Sequence, residues 1–169
     1  RHPHVFGDVK VKDAHEVLQN WDAIKSKEKE RESLMDGIPI HLPALIKARK
    51  VQSKASKVGF DWDKSEDVLI KVEEEIKELK ESINKSDHDS IEEEIGDILF
   101  SIVNLSRFLN VEPETALMKT IAKFIKRFKQ MEMKIADDGN KITDYDLKGL
   151  DKIWDMIKID EKKDKEFNK

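Results

Sequence analysis

Apolar residues recur at helical spacing along most of this chain. From Val68 to Ile83 they stand three and four positions apart, which is the period of one helix face. The same pattern predicts further helices over residues 14–31, 43–58, 113–136 and 147–158. No run alternates between apolar and polar residues as a strand would, and no glycine-rich phosphate loop occurs. The sequence therefore predicts an all-α fold and argues against P-loop and Rossmann domains.

Acidic residues follow one edge of the helix that begins near Val68. This edge consists of Lys71, Glu74, Glu75 and Glu78, which lie side by side because residues three and four apart are neighbours on a helix. Taken alone, the pattern is more typical of a solvated helix flank, so its interpretation depends on the residues that lie opposite it.

The following helix carries a polar stripe within an otherwise apolar sequence. Between Ile95 and Leu105 apolar residues fall on nearly every side, which predicts a helix that is buried all round. The polar residues at helical spacing along it are Glu94, Asp97, Ser101 and Asn104. Because an aspartate is rarely buried unless it is paired or bound to a metal, this stripe favours a functional site.

The two acidic stripes are predicted to face each other. Residues 84–89 form a short loop, Ser90 to Glu93 is typical of a capping box, and short connections make antiparallel helical neighbours. Two carboxylates about 6 Å apart repel by roughly 3 kcal/mol at an effective dielectric of about 20, so a cluster of them needs a counter-charge. The chain has no cysteine, and all-oxygen ligands indicate magnesium, manganese or calcium rather than zinc or copper.

Composition narrows the class of protein further. Charged residues make up 40% of the 169 positions, as expected of long helices with solvated outer faces. A formal net charge of −4 argues against a nucleic-acid partner. No apolar run is long enough for a membrane span and no signal-peptide pattern occurs, so no membrane partner is predicted. The lack of cysteine fits a reducing compartment, and we predict a cytoplasmic location.

The acidic residues also carry a family resemblance. Glu74-Glu75-x-x-Glu78 followed by Glu94-x-x-Asp97 resembles the signature of the all-α nucleoside triphosphate pyrophosphohydrolases. Further segments resemble the carboxy-terminal half of MazG proteins, namely Arg1-His-Pro-His-Val-Phe6, Leu42-Pro-Ala-Leu45, Val58-Gly-Phe-Asp-Trp62, Gly96-Asp-Ile-Leu-Phe100, Asn104-Leu and Lys123-Phe-x-x-Arg-Phe128. The resemblance extends over nearly the whole chain as far as Lys158.

This resemblance implies hydrolysis of a nucleoside triphosphate to a monophosphate and pyrophosphate. It implies Mg²⁺ as the cofactor, with Mn²⁺ as a possible substitute, held by Glu75, Glu78, Glu94 and Asp97. Glu74 is then expected to orient or deprotonate the attacking water. The expected substrate-binding residues are Lys71, Asn104, Lys123, Arg127 and Trp154. Of these, Lys71, Lys123 and Arg127 would clamp phosphates, and Trp154 would contact the nucleobase.

The resemblance also implies an organisation of the chain and of its assembly. We predict a helical segment and linker over 1–40, a four-helix-bundle-like catalytic domain over 41–158 and a charged tail over 159–169. The first residues resemble the junction that follows the amino-terminal half of a longer MazG protein, so we expect a fragment. Surplus apolar faces over 99–109 and 113–136 predict a homodimer.

Two alternatives remain open at this point. One is a narrower relative, such as a dUTP or phosphoribosyl-ATP pyrophosphohydrolase, although the MazG-like flanking segments favour the broader reading. The other is a non-enzymatic helical module in which a metal only holds helices together. A structural ion would be saturated by protein ligands, whereas a catalytic ion keeps positions open for phosphate.

Overall fold

The computed structural model describes residues 33–167, and this part of the chain is all-α. Its α-helices are α1 (Ala44–Ser56), α2 (Ser65–Lys85), α3 (His88–Phe108), α4 (Pro113–Asp137) and α5 (Leu147–Phe167), with a 3-10 turn at Ile142–Asp144. No strand occurs between residues 33 and 167. The predicted all-α class is confirmed, while the helix predicted over 14–31 lies outside the described residues.

The described part of the chain divides into two compact units, residues 33–105 and residues 106–167. The described part of the first unit contains α1, α2 and most of α3. The second contains the last residues of α3, then α4, the 3-10 turn and α5.

The turn between α2 and α3 is shorter than the sequence predicted. α2 ends at Lys85, Ser86 adopts a left-handed conformation with φ of 55°, and α3 already begins at His88. The Asp87 carboxylate accepts hydrogen bonds from the Ser90 backbone N–H at 3.3 Å and from its hydroxyl at 2.8 Å. Asp87 therefore caps α3, and the predicted capping box starting at Ser90 is wrong because the Ser90 hydroxyl is engaged by Asp87.

Helix α3 buries two polar side chains of the first unit while several of its apolar side chains are exposed. Ser101 and Asn104 are buried beside Val103, whereas the Leu99 and Ile102 residues are 53% and 44% exposed. The prediction that α3 is buried all round is therefore wrong. Ser101, Val103 and Asn104 face the interior of the unit, whereas Leu99 and Ile102 are exposed.

The second unit has a small apolar core between α4 and α5. Its buried members are Met131, Ile135, Ile153 and Ile157, and the partly buried residues packed against them are Phe128, Ile142, Tyr145, Leu150 and Trp154. The apolar residues on the first half of α4 are exposed, including Leu117, Ile121 and Phe124. The apolar face of α4 is thus only half used within its own unit.

The last helix is longer than predicted. α5 runs to Phe167 rather than ending at Lys158, so most of the segment predicted as a charged tail is helical. One reason is tertiary, because Glu161 on this extension forms an ion pair with Arg127 of α4. None of the helices between residues 33 and 167 combines the length and apolar character that crossing a membrane requires.

Candidate active site

Three carboxylates converge where α2 passes the beginning of α3. Glu75, Glu78 and Glu94 each offer an oxygen, and these oxygens all lie within 4.8 Å of one another. Glu75 and Glu78 share a helix face because they are three residues apart. The tight turn at Ser86 and Asp87 then returns the chain antiparallel and brings in Glu94. The group joins three of the four predicted metal ligands, and a metal ion could be held there.

One cation partly neutralises this group. The Lys71 ammonium lies 2.8 Å from a Glu75 oxygen and 2.9 Å from a Glu74 oxygen. The hydrogen bonds to Glu75 and then to Glu74 raise the pKa of Lys71 above its usual range, so it stays protonated. Glu75 is 95% buried, with only 5% of its surface exposed, and a buried carboxylate requires such a partner. Among residues 33–167 this lysine is shared between Glu74 and Glu75, and no ion pair of this kind is found there for Glu78 or Glu94.

Glu94 carries the clearest sign of an unmet interaction. Its Oε2 atom is buried and has no hydrogen-bond partner among the described residues. Desolvation raises the pKa of Glu94, and the charges of Glu78, Glu75 and Asp97 raise it further. A desolvated carboxylate oxygen that faces other carboxylates fits a hard divalent cation, for which oxygen ligands are preferred. The residues present therefore suit the predicted type of ion.

Asp97 and Glu74 stand apart from the group of three. Asp97 is exposed and does not belong to the converging set found within residues 33–167, although its charge acts on Glu94. Glu74 has a half-exposed side chain held by Lys71. A metal-ligand role for Asp97 stays a prediction, and so does the role of Glu74 toward water.

A buried glutamine adjoins the polar stripe of α3 and was missed by the sequence analysis. Gln52 of α1 is buried, and its Nε2 donates to the Phe100 carbonyl oxygen at 2.8 Å. Its Oε1 is buried without a hydrogen-bond partner in the described part of the chain. Gln52 therefore lies at the level of Ser101 and Asn104 on α3. The signal in the sequence that could have indicated Gln52 is a neutral amide within a helix that is rich in lysine.

The remaining predicted residues lie in the second unit. The Arg127 guanidinium carbon is 6.0 Å from the centre of the Trp154 ring, and the Phe124 and Trp154 ring centres are 5.1 Å apart. Lys123 is exposed on α4. Arg127 and Trp154 are thus brought together, as a shared role in substrate binding requires, and Trp154 also packs against the apolar core.

Glu161 is a second residue that the sequence analysis missed. Arg127 Nε donates to Glu161 Oε2 at 2.9 Å, and Lys126 lies 3.5 Å from the other carboxylate oxygen. The signal was its position seven residues after Trp154, which is two turns along one helix face.

The three converging carboxylates lie in a part of the chain that matches a known protein family. Residues 64–131 match the model of the MazG nucleotide pyrophosphohydrolase domain. These residues are therefore similar to a MazG domain. The matched range contains α2, α3 and most of α4, and therefore every predicted site residue except Trp154.

Similar proteins extend the match beyond the domain itself. The chain is 48% identical over 160 residues to the nucleoside triphosphate pyrophosphohydrolase/pyrophosphatase MazG of Thermotoga maritima, covering 94% of the chain and 60% of that relative. It is 41% identical over 166 residues to the nucleoside triphosphate pyrophosphohydrolase of Escherichia coli strain K12, covering 95% of the chain and 63% of the relative. It is also 46% identical over 166 residues to the uncharacterized protein YabN of Bacillus subtilis, covering 96% of the chain and 34% of YabN.

The resemblance to MazG proteins is confirmed by these matches. The chain spans about three fifths of the length of the two named pyrophosphohydrolases, at 60% and 63%. The shared part includes the acidic cluster and also reaches the helices that carry Arg127 and Trp154.

Proposed function

We propose that this chain hydrolyses nucleoside triphosphates to nucleoside monophosphates and pyrophosphate, with Mg²⁺ as cofactor and Mn²⁺ as a possible substitute. The observation that carries the proposal is the converging group of Glu75, Glu78 and Glu94. Support comes from the MazG domain match and from two relatives that are named as nucleoside triphosphate pyrophosphohydrolases. We place the reaction in the cytoplasm.

The carboxylates are proposed to hold the ion rather than to react covalently. Glu75, Glu78 and Glu94 supply the oxygens, and exposed Asp97 adds a further carboxylate one turn after Glu94. When bound, the ion neutralises charge on the phosphates and lowers the pKa of a coordinated water. No nucleophilic side chain is needed, because phosphoryl transfer depends mainly on positioning and electrostatics.

Lys71 and Glu74 are proposed to act together beside this group. Two of the three donors of the Lys71 ammonium point to Glu74 and Glu75, so one remains for a phosphate oxygen. The salt bridge also fixes the Glu75 carboxylate, which would keep its free oxygen turned toward the ion. Glu74, with its side chain 51% exposed, is reachable by water and is the proposed acceptor of the water's proton.

The remaining substrate contacts are proposed from residue chemistry. Arg127 presents a planar guanidinium that can bind two phosphate oxygens, and Lys123 offers an exposed ammonium. Trp154 offers a ring face for a nucleobase, and Asn104 offers a buried amide on the polar stripe of α3. Each of these roles is local to its own unit and can be tested by single substitutions.

We further propose that the chain works as a homodimer. The apolar side chains that face away from the interior of the first unit include Ile76 and Ile83 on α2, and Leu99 and Ile102 on α3. Several exposed apolar residues on a helical protein are typical of an interface between subunits. A second copy of the chain would cover these residues. Such a contact would account for the apolar residues found on nearly every side of α3.

A panel of triphosphates with Mg²⁺ tests the proposal. The assay measures pyrophosphate against orthophosphate for the ribo- and deoxyribonucleoside triphosphates. Hydrolysis of several of them to pyrophosphate supports the broad activity, while turnover of dUTP or phosphoribosyl-ATP alone supports a narrower relative. Release of orthophosphate in single steps would overturn the proposal. A metal-bound but inactive protein would favour the non-enzymatic module.

A further inference from the structure

The ion pair between Arg127 and Glu161 links α4 to α5 through one edge of the guanidinium. Glu161 Oε2 accepts from Arg127 Nε at 2.9 Å and also lies 2.9 Å from Nη2. One carboxylate oxygen therefore engages one edge of the guanidinium. The other oxygen is 3.5 Å from the ammonium of Lys126.

This pair is largely removed from solvent. The side chains of Arg127 and Glu161 are only 19% and 14% exposed, whereas the Lys126 side chain is 65% exposed. The hydrogen bond from Arg127 is the main cause that lowers the pKa of Glu161, so the carboxylate is ionised at neutral pH. A desolvated ion pair stabilises a fold little compared with an apolar contact of the same size. Stability alone therefore does not account for the presence of this pair.

The orientation of Arg127 follows from this pair. A guanidinium carries five N–H groups, and Glu161 engages the edge formed by Nε and Nη2. The adjoining edge, formed by Nη1 and the second N–H of Nη2, has the fork geometry that matches two oxygens of a phosphate. On one side the guanidinium is also placed near Trp154, at 6.0 Å from the ring centre.

We propose that Glu161 is a positioning residue that holds Arg127 with its free edge available for a substrate phosphate. This inference rests on the proposed function, because it requires that Arg127 bind the triphosphate. Without Glu161 the long arginine side chain would sample several rotamers, and each binding event would have to order it again. Glu161 lies outside the matched MazG domain, on the part of α5 that the sequence predicted as a tail.

The test compares KM, kcat and melting temperature for the full chain and five variants. These are Arg127→Ala, Glu161→Ala, Glu161→Gln, the double variant of Arg127→Ala with Glu161→Ala, and Lys126→Ala as the control. The control removes a cation that touches the same carboxylate but is mostly exposed. Arg127→Ala is expected to raise KM on the order of tenfold, as expected for loss of a charged hydrogen bond. Glu161→Ala should raise KM in the same direction with a smaller effect on kcat.

Three comparisons decide the proposal. Glu161→Gln should keep a KM close to that of the parent, because its amide oxygen still accepts from Nε. The double variant should match Arg127→Ala alone, because a residue that acts through Arg127 has no effect once Arg127 is gone. Lys126→Ala should leave KM unchanged. A merely structural ion pair predicts instead that Glu161→Ala lowers the melting temperature and leaves KM unchanged, and that result would overturn the proposal.

Failure of this inference is distinguishable from failure of the proposed function. An Arg127→Ala variant with unchanged KM, in a parent that releases pyrophosphate, sinks the role of Glu161 and leaves the activity standing. If the parent is inactive, the same variants are compared by their Kd for inorganic tripolyphosphate, measured by calorimetry. The same order of affinities supports the positioning role, and equal affinities for the parent and Glu161→Ala contradict it.

Discussion

Replacement of Glu78 by glutamine should separate stability from activity. The Glu78 carboxylate has an oxygen within 4.8 Å of an oxygen of buried Glu75. At that separation two unit charges repel by about 3 kcal/mol at an effective dielectric of about 20. Lys71 offsets part of the Glu75 charge at 2.8 Å, and Glu78 is partly exposed to solvent, so about 1 kcal/mol is a realistic remainder.

Without metal, Glu78→Gln should therefore be more stable than the parent. A gain of about 1 kcal/mol raises the melting temperature of a chain of this size by about 2–4 °C. In the parent, Mg²⁺ at 100 times its Kd adds about 2.7 kcal/mol, a rise of about 5–10 °C. The variant should lose most of that rise, because one ligand is gone, and it should lose turnover.

The measurement is a set of thermal melts with Mg²⁺ and with chelator, beside an assay of pyrophosphate release. Glu81→Gln is the matched control, since Glu81 lies on the same helix, is 54% exposed and lies 3.9 Å from Lys77. It should melt and turn over like the parent. If Glu78→Gln is less stable without metal and still active, Glu78 belongs to ordinary helix electrostatics and the account of the cluster is refuted.

Four further predictions concern the cluster, the aromatic residue and the assembly. Because the folded-state pKa of Glu94 is raised above its usual value, the metal-free protein should lose stability as pH rises from about 4.5 through that pKa. In thermal melts at several pH values, Glu94→Gln should reduce this dependence of stability on pH. Because the pKa of Glu94 is raised, more Mg²⁺ should be needed for half-maximal stabilisation as pH falls, and an unchanged requirement from neutral pH down to about 4.5 would contradict this prediction. Trp154→Ala should raise KM for a triphosphate far more than it lowers kcat, because stacking on the base is equal in the ground and transition states. If the variant only unfolds and its folded fraction has normal kinetics, Trp154 is a core residue. Leu99→Asp should convert the proposed dimer to monomer in sedimentation experiments, whereas an unchanged mass would exclude α3 from the interface.

The parts of the site that the sequence predicted are those set by local geometry. Glu75 and Glu78 share a face because of helical spacing, and the short turn after Lys85 brings Glu94 to them. The acidic cluster was therefore predictable before any tertiary contact was known. Asp97 follows Glu94 by about one turn but is exposed and lies outside the converging set found within residues 33–167, a difference that helical spacing alone does not predict.

The features that the sequence did not predict depend on contacts between distant residues. The exposure of Leu99 and Ile102 could not be predicted from the sequence. An apolar helix face has the same sequence pattern whether the core of its own chain or another chain covers it. Gln52 became notable only through its hydrogen bond to the Phe100 carbonyl, 48 residues away. The extension of α5 is rich in charge, which predicted a solvated tail, and its contact with Arg127 spans 34 residues.

The most direct test of the central claim is a phosphorus NMR time course of a nucleoside triphosphate incubated with the protein. With Mg²⁺, resonances of monophosphate and pyrophosphate should rise together in equal amounts, with no diphosphate or early orthophosphate. With excess chelator, or in a variant that combines Glu75→Gln, Glu78→Gln and Glu94→Gln, the triphosphate should remain intact. Pyrophosphate release that persists in that variant, or a first product of diphosphate and orthophosphate, would contradict the account.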